Sequence, residues 1–288
     1  MIGCHGLVWT GQFDAQGLRR AVSGTLDAGY GLLEIPLLDP FGFDRVAGRA
    51  ALTGSGLRVA ASLGLPLGAD SSTAEPEQVA RAEDVLRRAL EVVHDLGGQD
   101  ICGVLYGSLR KYPAPATAVG RQASQDVLGR VAVRAAELGI TLSLEVVNRY
   151  EANQFNTART ALQYLDEIGD PSIKVHLDTY HMNIEESDLF SPVLEAGDRI
   201  GYVHIGESHR GYLGTGTVAF DEFFRALHTI GFSGPITFES FSTAVVDEEL
   251  SRSLAIWRNL WQDGNDLASH ANTFIRNKIR ANETLALH

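Results

Sequence analysis

Cysteine is scarce in this chain of 288 residues, which contains only Cys4 and Cys102. Two cysteines are too few for a disulfide framework, and both lie in apolar stretches that predict buried strands. We therefore expect two free thiols in a reducing compartment, which predicts a cytoplasmic protein. The first residues agree with this prediction, because they lack the basic and apolar regions of a secretory signal peptide.

Long apolar runs and excess positive charge are also absent. The sequence contains no run of about 18 apolar residues, so we predict no membrane-spanning helix. Asp and Glu outnumber Lys and Arg by 36 to 24, which gives a formal net charge of -12 at pH 7. A surface of this sign repels phosphate groups, and no basic stripe offsets it, so a nucleic-acid partner is not expected.

Common catalytic motifs are missing as well. No Gly-x-Gly-x-x-Gly motif opens a helix after a predicted strand, so a dinucleotide cofactor is not indicated. Ser240 has no glycine elbow around it, which argues against a serine nucleophile. The glycine-rich segment Gly211–Gly216 lacks lysine and does not lead directly into a helix, so it indicates a mobile loop better than a phosphate site.

Eight apolar or alternating runs predict strands that are buried on both faces, and helical patterns fill the gaps between them. The predicted strands are Ile2–Trp9, Leu32–Leu38, Arg58–Leu65, Asp100–Gly107, Thr141–Val147, Ile173–Thr179, Ile200–Glu207 and Pro235–Phe241. This alternation, without a low-complexity linker, predicts one α/β domain over residues 1–288, folded as a single (β/α)8 TIM barrel. A doubly wound open sheet is the alternative, but it brings four successive strand ends together less easily.

The C-terminal segment carries its own helical signal. Residues 265–288 contain apolar residues at helical spacing. This stripe predicts an extra C-terminal helix after the eighth barrel helix. We expect this helix to pack across the bottom of the barrel or against a second subunit, and docking on its own domain is an equal alternative. Trp257 and Trp261 share a helical stripe with Leu250 and Leu254, so both tryptophans are assigned to the core.

Four potential metal ligands lie in or just after the last four predicted strands: Glu145, Asp178, His204 and Glu239. They are 33, 26 and 35 residues apart, about the length of one strand–helix unit, so a parallel barrel can bring them together at one end. Buried carboxylates that cluster without a cation repel each other and shift to their neutral forms. Carboxylates and an imidazole, without a thiolate, predict one Mn²⁺, Mg²⁺ or Co²⁺ ion rather than structural zinc.

Further polar residues follow these ligands in loops, where barrel enzymes bind their substrates. They include Glu151 and His181, and Glu207, His209 and Arg210 in a third loop. Each alone is equally compatible with a solvated loop. An arginine and two histidines beside a metal suit an oxygen-rich ligand. Trp9 and Tyr112 are candidates to stack on the face of a sugar.

At these residues the chain resembles the ketose 3-epimerases, which comprise the D-tagatose, D-psicose (D-allulose) and L-ribulose 3-epimerases of the xylose isomerase-like TIM barrel superfamily. The resemblance extends over essentially the whole chain and looks closest to D-allulose 3-epimerases of actinobacterial type. Its most specific stretches are Ser143–Glu151, His176–Asn183, Val203–Gly211 and Phe238–Phe241.

The resemblance implies a role for each candidate residue. Glu145, Asp178, His204 and Glu239 would bind one divalent ion per subunit, and Glu151, His181 and Arg210 would contact the O1–O3 end of the substrate. His5 and Tyr112 also correspond to sugar-contacting positions, but many relatives carry an aromatic residue and a tryptophan there, respectively. These departures concern the choice of sugar rather than the reaction. The resemblance also implies a homodimer, or a homotetramer built as a dimer of dimers.

The implied reaction is epimerisation at C3 of a free ketose. Removing the C3 proton builds negative charge on O2, which a metal bound to O2 and O3 stabilises as a cis-enediolate. Glu145 and Glu239 are the predicted acid/base residues on opposite faces of C3. An aldose–ketose isomerase on the same barrel is the alternative. The negative charge disfavours an apurinic-site endonuclease, and the paired glutamates disfavour a non-catalytic sugar sensor.

Overall fold

The computed structural model of the protein describes residues 1–246 and 248–285. Eight parallel strands in these residues close into a barrel in chain order, and β8 pairs with β1. The strands are β1 Ile2–His5, β2 Leu32–Pro36, β3 Arg58–Leu65, β4 Asp100–Ser108, β5 Thr141–Glu145, β6 Ile173–Asp178, β7 Ile200–Ile205 and β8 Ile236–Phe238. The predicted TIM barrel is therefore confirmed.

Helices alternate with the strands and cover the outside of the barrel. They are α1 Ala15–Asp27, α2 Arg45–Leu52, α3 Pro76–Asp95, α4 Ala118–Leu138, α5 Ala158–Ile168, α6 Thr179–Glu185, α7 Ser191–Ala196, α8 Phe220–Thr229, α9 Glu248–Ser253 and α10 Gly264–Leu285. α3 shows how sequence sets these elements: Pro76 begins it, and apolar residues at helical spacing, such as Leu86 and Val93, are buried against the sheet.

The C-terminal helix α10 lies in the outer ring of helices, where it packs between α8 and α1 and also contacts β8. Leu267, Ala271 and Ile275 of its apolar stripe are fully buried there, and Phe274 and Ile279 are partly buried. The side chain of Tyr30 donates a hydrogen bond to the carbonyl oxygen of Ala268 at 2.9 Å. The extra helix is thus confirmed, but it takes a place in the ring instead of crossing the barrel bottom. Residues 286–288 of the predicted extension lie outside the described residues.

The segment before α10 differs from its prediction. α9 ends at Ser253, and the chain leaves the helical path at Ala255, which has a positive φ of 53°. Helical spacing therefore no longer places the two tryptophans on one face. Trp261 is buried, as predicted, whereas Trp257 is 69% exposed, so its assignment to the core is wrong.

Two predictions from missing features can be compared with the structure. Cys4 and Cys102 are both buried and free, as expected for small core residues. No helix within residues 1–246 and 248–285 has the length and hydropathy needed to cross a membrane.

Gly103 marks a close approach between two barrel strands. It lies in β4, pairs with Leu63 of β3 and has a φ of 113°. A side chain at this position would collide with the backbone of Leu63. Gly129 in α4 is the opposite case, because nothing lies within 4 Å of a Cβ atom added there. The two glycines therefore form a matched pair for testing how tightly the barrel is packed.

We expect Gly103→Ala to lower the thermal unfolding temperature by several degrees. The backbone strain of a non-glycine residue costs about 1–3 kcal/mol, and the collision with Leu63 adds to it. Gly129→Ala should have the opposite sign, because replacing a mid-helix glycine stabilises a helix by roughly 0.5–1 kcal/mol. Calorimetry of both variants measures these shifts, and a Gly103→Ala protein that unfolds at the wild-type temperature would contradict the packing argument.

Candidate metal centre and active site

The four predicted metal ligands meet at the carboxyl end of the barrel. Glu145 ends β5, Asp178 ends β6, His204 lies near the end of β7, and Glu239 directly follows β8. One donor atom from each lies within 4.8 Å of the other three, and all four residues are buried. The strand register contributes to this convergence, because Asp178 and His204 are direct partners between β6 and β7.

The orientation of the His204 ring fits a metal ligand. Its Nε2 atom lies 2.8 and 3.0 Å from the two carboxylate oxygens of Glu34. Its Nδ1 atom is buried without a hydrogen-bond partner, 3.5 Å from Oε1 of Glu239 and 3.8 Å from Oε1 of Glu145. An imidazole held by a carboxylate through one nitrogen, with the other nitrogen facing carboxylates, is typical of metal-binding histidines. The donor set of three carboxylates and one imidazole suits Mn²⁺, Mg²⁺ or Co²⁺.

The three predicted acidic ligands differ in how their surroundings shift the carboxyl pKa. Burial, reinforced by the charges of Glu239 and Asp178, raises the pKa of Glu145 well above its ordinary value. Burial also raises the pKa of Asp178, although Arg210 opposes it. Burial acts in the same direction on Glu239, but Arg210 and His204 hold the pKa of that carboxyl well below its usual range. A divalent cation among these oxygens would favour the ionised form of all three carboxylates.

Arg210 supplies the fixed positive charge of the site. Its Nη1 atom lies 2.9 Å from Oδ2 of Asp178 and 2.6 Å from Oε2 of Glu239. The guanidinium stacks on the ring of Tyr180 at 3.9 Å from the centroid. The backbone of Arg210 has a positive φ of 60°, and its N–H donates to the carbonyl oxygen of Glu207 at 2.8 Å. The loop therefore holds the arginine head against the acidic cluster.

Glu151 and His181 are connected through Asn148. The side-chain amide of Asn148 donates to Oε1 of Glu151 at 2.9 Å, and its backbone N–H donates to Nδ1 of His181 at 3.2 Å. Because Nδ1 accepts this bond, the proton of the neutral ring lies on Nε2. Nε2 is 3.6 Å from both Oε1 of Glu145 and Oδ2 of Asp178. Burial lowers the pKa of His181 well below its ordinary value, which keeps the ring neutral.

A cavity of about 790 Å³ opens above the cluster. Its floor is polar and includes the side chains of His5, Glu145, Glu151, His181, His204, Arg210 and Glu239. Its walls are mostly apolar, with Leu37, Leu65, Leu109 and Phe241 among the contacts, and Trp257 also lines it. Polar groups that converge at the bottom of an apolar cavity fix the orientation of a small ligand.

His5, for which the family resemblance implies a sugar contact, lies at the cavity. It lines the cavity, and its Nε2 atom is 3.1 Å from Oγ of Ser62 and 3.7 Å from Oε1 of Glu239. The backbone N–H of Leu7 donates to Nδ1 at 3.3 Å, so the ring is anchored on both sides.

Trp9 and Tyr112 lie elsewhere, contrary to the prediction. β1 ends at His5, and a short 3-10 helix then carries Trp9 behind the cavity, where it packs on Gly24 and donates its indole N–H to Thr25 at 3.1 Å. The hydroxyl of Tyr112 donates to Oδ2 of Asp70 at 2.7 Å. Neither aromatic residue is among the described residues that line the cavity.

Glu207 has a different role from the ligand contact that its loop position suggests. It is fully buried, and its carboxylate accepts hydrogen bonds from the backbone N–H groups of Ser208 at 2.8 Å and Gly214 at 2.9 Å. Burial opposes ionisation, but these backbone donors hold the pKa of Glu207 below its usual range. Glu207 thus organises the glycine-rich loop beside Arg210.

Two residues of the site were not predicted from the sequence. Asn148 lies in the loop after β5, where an amide is a common turn residue and gives little signal. Glu34 gives a clearer signal, because it is the single charged residue in the otherwise apolar strand Leu32–Pro36. A lone acidic residue in a strand that is buried on both faces requires a partner inside the barrel.

Comparisons with known proteins agree with this geometry. A family model described as a xylose isomerase-like TIM barrel matches residues 25–261. The chain is 56% identical over 287 residues to a ketose 3-epimerase of Arthrobacter globiformis, covering 100% of this chain and 99% of the relative. It is 51% identical to an L-ribulose 3-epimerase of a Methylomonas species, over 96% of each chain. The crystal structure of a Methylomonas D-allulose 3-epimerase in complex with D-allulose is similar, with a TM-score of 0.94, 50% identity and 96% coverage of both chains.

We expect Glu207→Gln to lower the thermal unfolding temperature at pH 7, and the deficit to shrink in acid. The folded-state pKa of Glu207 lies below the unfolded value of about 4.3. Its ionised form therefore contributes stability that is fully present above the unfolded pKa and is lost as pH falls through the folded pKa. Calorimetry of both proteins between pH 7 and pH 3 measures the difference. A deficit of constant size over this range would show that the charge of Glu207 is unimportant.

Proposed function

The chain belongs to the ketose 3-epimerase family of the xylose isomerase-like TIM barrels, a family of carbohydrate epimerases, and we propose that it interconverts free ketoses that differ at C3. The pairs D-fructose/D-allulose, D-tagatose/D-sorbose and L-ribulose/L-xylulose have the required chemistry. The observation that carries the proposal is the pair Glu145 and Glu239. These carboxylates come from different strands, reach the same cavity floor and approach the same nitrogen of His204.

Epimerisation at C3 needs one group to remove a proton and another to return a proton to the opposite face. The C3 proton is acidic because the C2 carbonyl can accept the charge, and a carboxylate within reach is a suitable base. In this proposal, Glu145 and Glu239 exchange these roles according to the direction of the reaction. A divalent ion held by Glu145, Asp178, His204 and Glu239 would supply Lewis acidity for the charge on the sugar oxygen.

The other floor residues orient the sugar. The guanidinium of Arg210 and the Nε2–H of His181 are donors that face the acidic cluster, so they suit the oxygens at the O1–O3 end of a ketose. Glu151, held by Asn148, can accept a bond from a hydroxyl group. These contacts would bind the carbons next to the reaction centre and hold C3 between the two glutamates.

The ligands do not have equal access to the cavity. Asp178 is fully buried; Oδ1 accepts from the N–H of Tyr180 at 2.8 Å, and Oδ2 faces Arg210. Among the described residues that line the cavity, Asp178 is missing, whereas both glutamates are present. We therefore assign Asp178 mainly to metal binding, together with His204, whose Nε2 is already engaged by Glu34, and Glu145 and Glu239 to metal binding and proton exchange.

The assembly remains a prediction from family resemblance. We expect one divalent ion per subunit in a homodimer or a homotetramer. The stripe on α10 gives no further support, because it packs against its own barrel.

Incubation of the protein with D-fructose in D₂O should give D-allulose that carries deuterium at C3 and not at C1. The alternative, an aldose–ketose isomerase, would give an aldose and exchange at C1. Chromatography and NMR distinguish these products. Chelation with EDTA should abolish turnover, and Mn²⁺, Mg²⁺ or Co²⁺ should restore it. Full activity after exhaustive chelation would contradict the metal site, whatever the product.

Glu145→Gln and Glu239→Gln should each lower the rate of epimerisation by about 10²–10⁴-fold, because each removes one acid/base group. The remaining glutamate can still remove and return the proton on its own face. Each variant should therefore exchange the C3 proton of one epimer only, and the epimer should differ between the two variants.

The control for this experiment is Glu137→Gln, which changes a surface glutamate of α4. Metal content, measured by mass spectrometry, must be similar in all proteins compared, because both catalytic candidates are also ligands. Near-normal turnover of metal-loaded Glu145→Gln would contradict its assignment as a base.

A further inference from the structure

Glu34 is a buried carboxylate that the proposed reaction does not use. It lies in the middle of β2 with no exposed surface, and none of its neighbours in Leu32–Pro36 carries a charge. An ionised side chain in such a place is costly unless nearby donors compensate it. Its hydrogen-bond contacts therefore indicate what role the carboxylate has in the site.

The donors around Glu34 come from three residues. Nε2 of His204 contacts both carboxylate oxygens, at 3.0 and 2.8 Å, and the hydroxyl of Tyr202 donates to Oε2 at 2.8 Å. Nε2 of His5 lies 3.5 Å from Oε1. Each of these contacts brings an N–H or O–H group to the carboxylate, so Glu34 acts as the acceptor.

A neutral imidazole has one protonated nitrogen and one nitrogen with a free lone pair. Because a carboxylate only accepts hydrogen bonds, the contact with Glu34 requires the proton on Nε2 of His204. In the neutral ring, which is the form that binds a metal, the lone pair then lies on Nδ1, the atom that faces Glu145 and Glu239 and has no hydrogen-bond partner. The same contact fixes the plane of the ring, since Nε2 sits between the two oxygens of Glu34.

We propose that Glu34 is a positioning residue that fixes the tautomer and orientation of His204, so that Nδ1 is ready to bind a divalent metal ion. The inference rests on the proposed metal site. Tyr202 supports Glu34 from the other side, because its hydroxyl also lies 2.8 Å from Oγ1 of Thr237. Removal of that hydroxyl takes away one donor to Glu34 but leaves the contact between Glu34 and His204 in place, so Tyr202→Phe provides a comparison with a smaller expected effect.

The test compares Glu34→Leu, Glu34→Gln and Tyr202→Phe with the wild-type protein, using Mn²⁺ alone and no sugar. Mn²⁺ dissociation constants are measured by electron paramagnetic resonance. Outer residues that orient a metal-binding histidine typically change affinity by 10–100-fold. We expect Glu34→Leu to weaken Mn²⁺ binding by about 10–100-fold. Glu34→Gln should weaken it less because its carbonyl oxygen still accepts, and Tyr202→Phe should also weaken it less than Glu34→Leu, because the contact between Glu34 and His204 remains.

A spectroscopic signature separates positioning from a general loss of structure. Electron spin-echo measurements detect the ¹⁴N coupling between bound Mn²⁺ and a directly coordinated imidazole. This coupling should be present in the wild-type protein and Tyr202→Phe, and reduced in Glu34→Leu at saturating Mn²⁺. Circular dichroism and thermal unfolding verify that each variant is folded; Glu34→Gln, which keeps shape and one acceptor, provides the comparison if Glu34→Leu does not fold.

Three outcomes would overturn the inference. The first is Mn²⁺ affinity and ¹⁴N coupling in folded Glu34 variants that match the wild type within about twofold. The second is an equal loss of affinity in Tyr202→Phe, which would indicate packing instead of a specific role for Glu34. The third is a wild-type protein that binds no Mn²⁺, Mg²⁺ or Co²⁺, and this result alone would remove the proposed metal site together with the inference.

Discussion

The compensation of buried negative charge is the constraint on which this end of the barrel depends. Four carboxylates, Glu34, Glu145, Asp178 and Glu239, are buried within one network. Arg210 forms ion pairs with Asp178 and Glu239. His204 contacts Glu34 through Nε2. These groups do not compensate the charge of Glu145. Burial and the nearby like charges raise the pKa of Glu145 well above its ordinary value. A cation held by this cluster would compensate the remaining negative charge, most of all that of Glu145, the proposed proton-transfer residue.

The surrounding loops hold the compensating charge of Arg210 in position. A guanidinium that offsets two carboxylates must be held in place, and Arg210 is held by a left-handed backbone, a hydrogen bond to the Glu207 carbonyl and the ring of Tyr180. Glu207 in turn uses its carboxylate to gather backbone N–H groups of its own loop. Glu207, which does not line the cavity, thus helps to determine where the charge of Arg210 lies.

The sequence predicts the barrel and its ligands because both depend on local patterns. Apolar runs identify the strands, and Glu145, Asp178, His204 and Glu239 fall at or near the ends of those runs. Patterns fail where the chain departs from regular geometry. Trp257 follows a helical stripe that Ala255 interrupts, and Trp9 follows a strand that ends four residues earlier than predicted. Glu34 was missed because its importance lies in contacts with β7, about 170 positions away in sequence, which no local pattern reports.

The cavity divides recognition between its floor and its walls. Charged and polar groups at the floor contact only the few atoms of a ligand that reach them, so they define the reacting end. The apolar walls offer few hydrogen-bond partners, and a hydrophobic surface discriminates weakly between ligands that differ by a hydroxyl group. The position of the reaction along a sugar would then be strictly fixed, whereas the configuration at distant carbons would matter less. On this argument, the choice among ketoses depends on floor residues such as His5 more than on the walls.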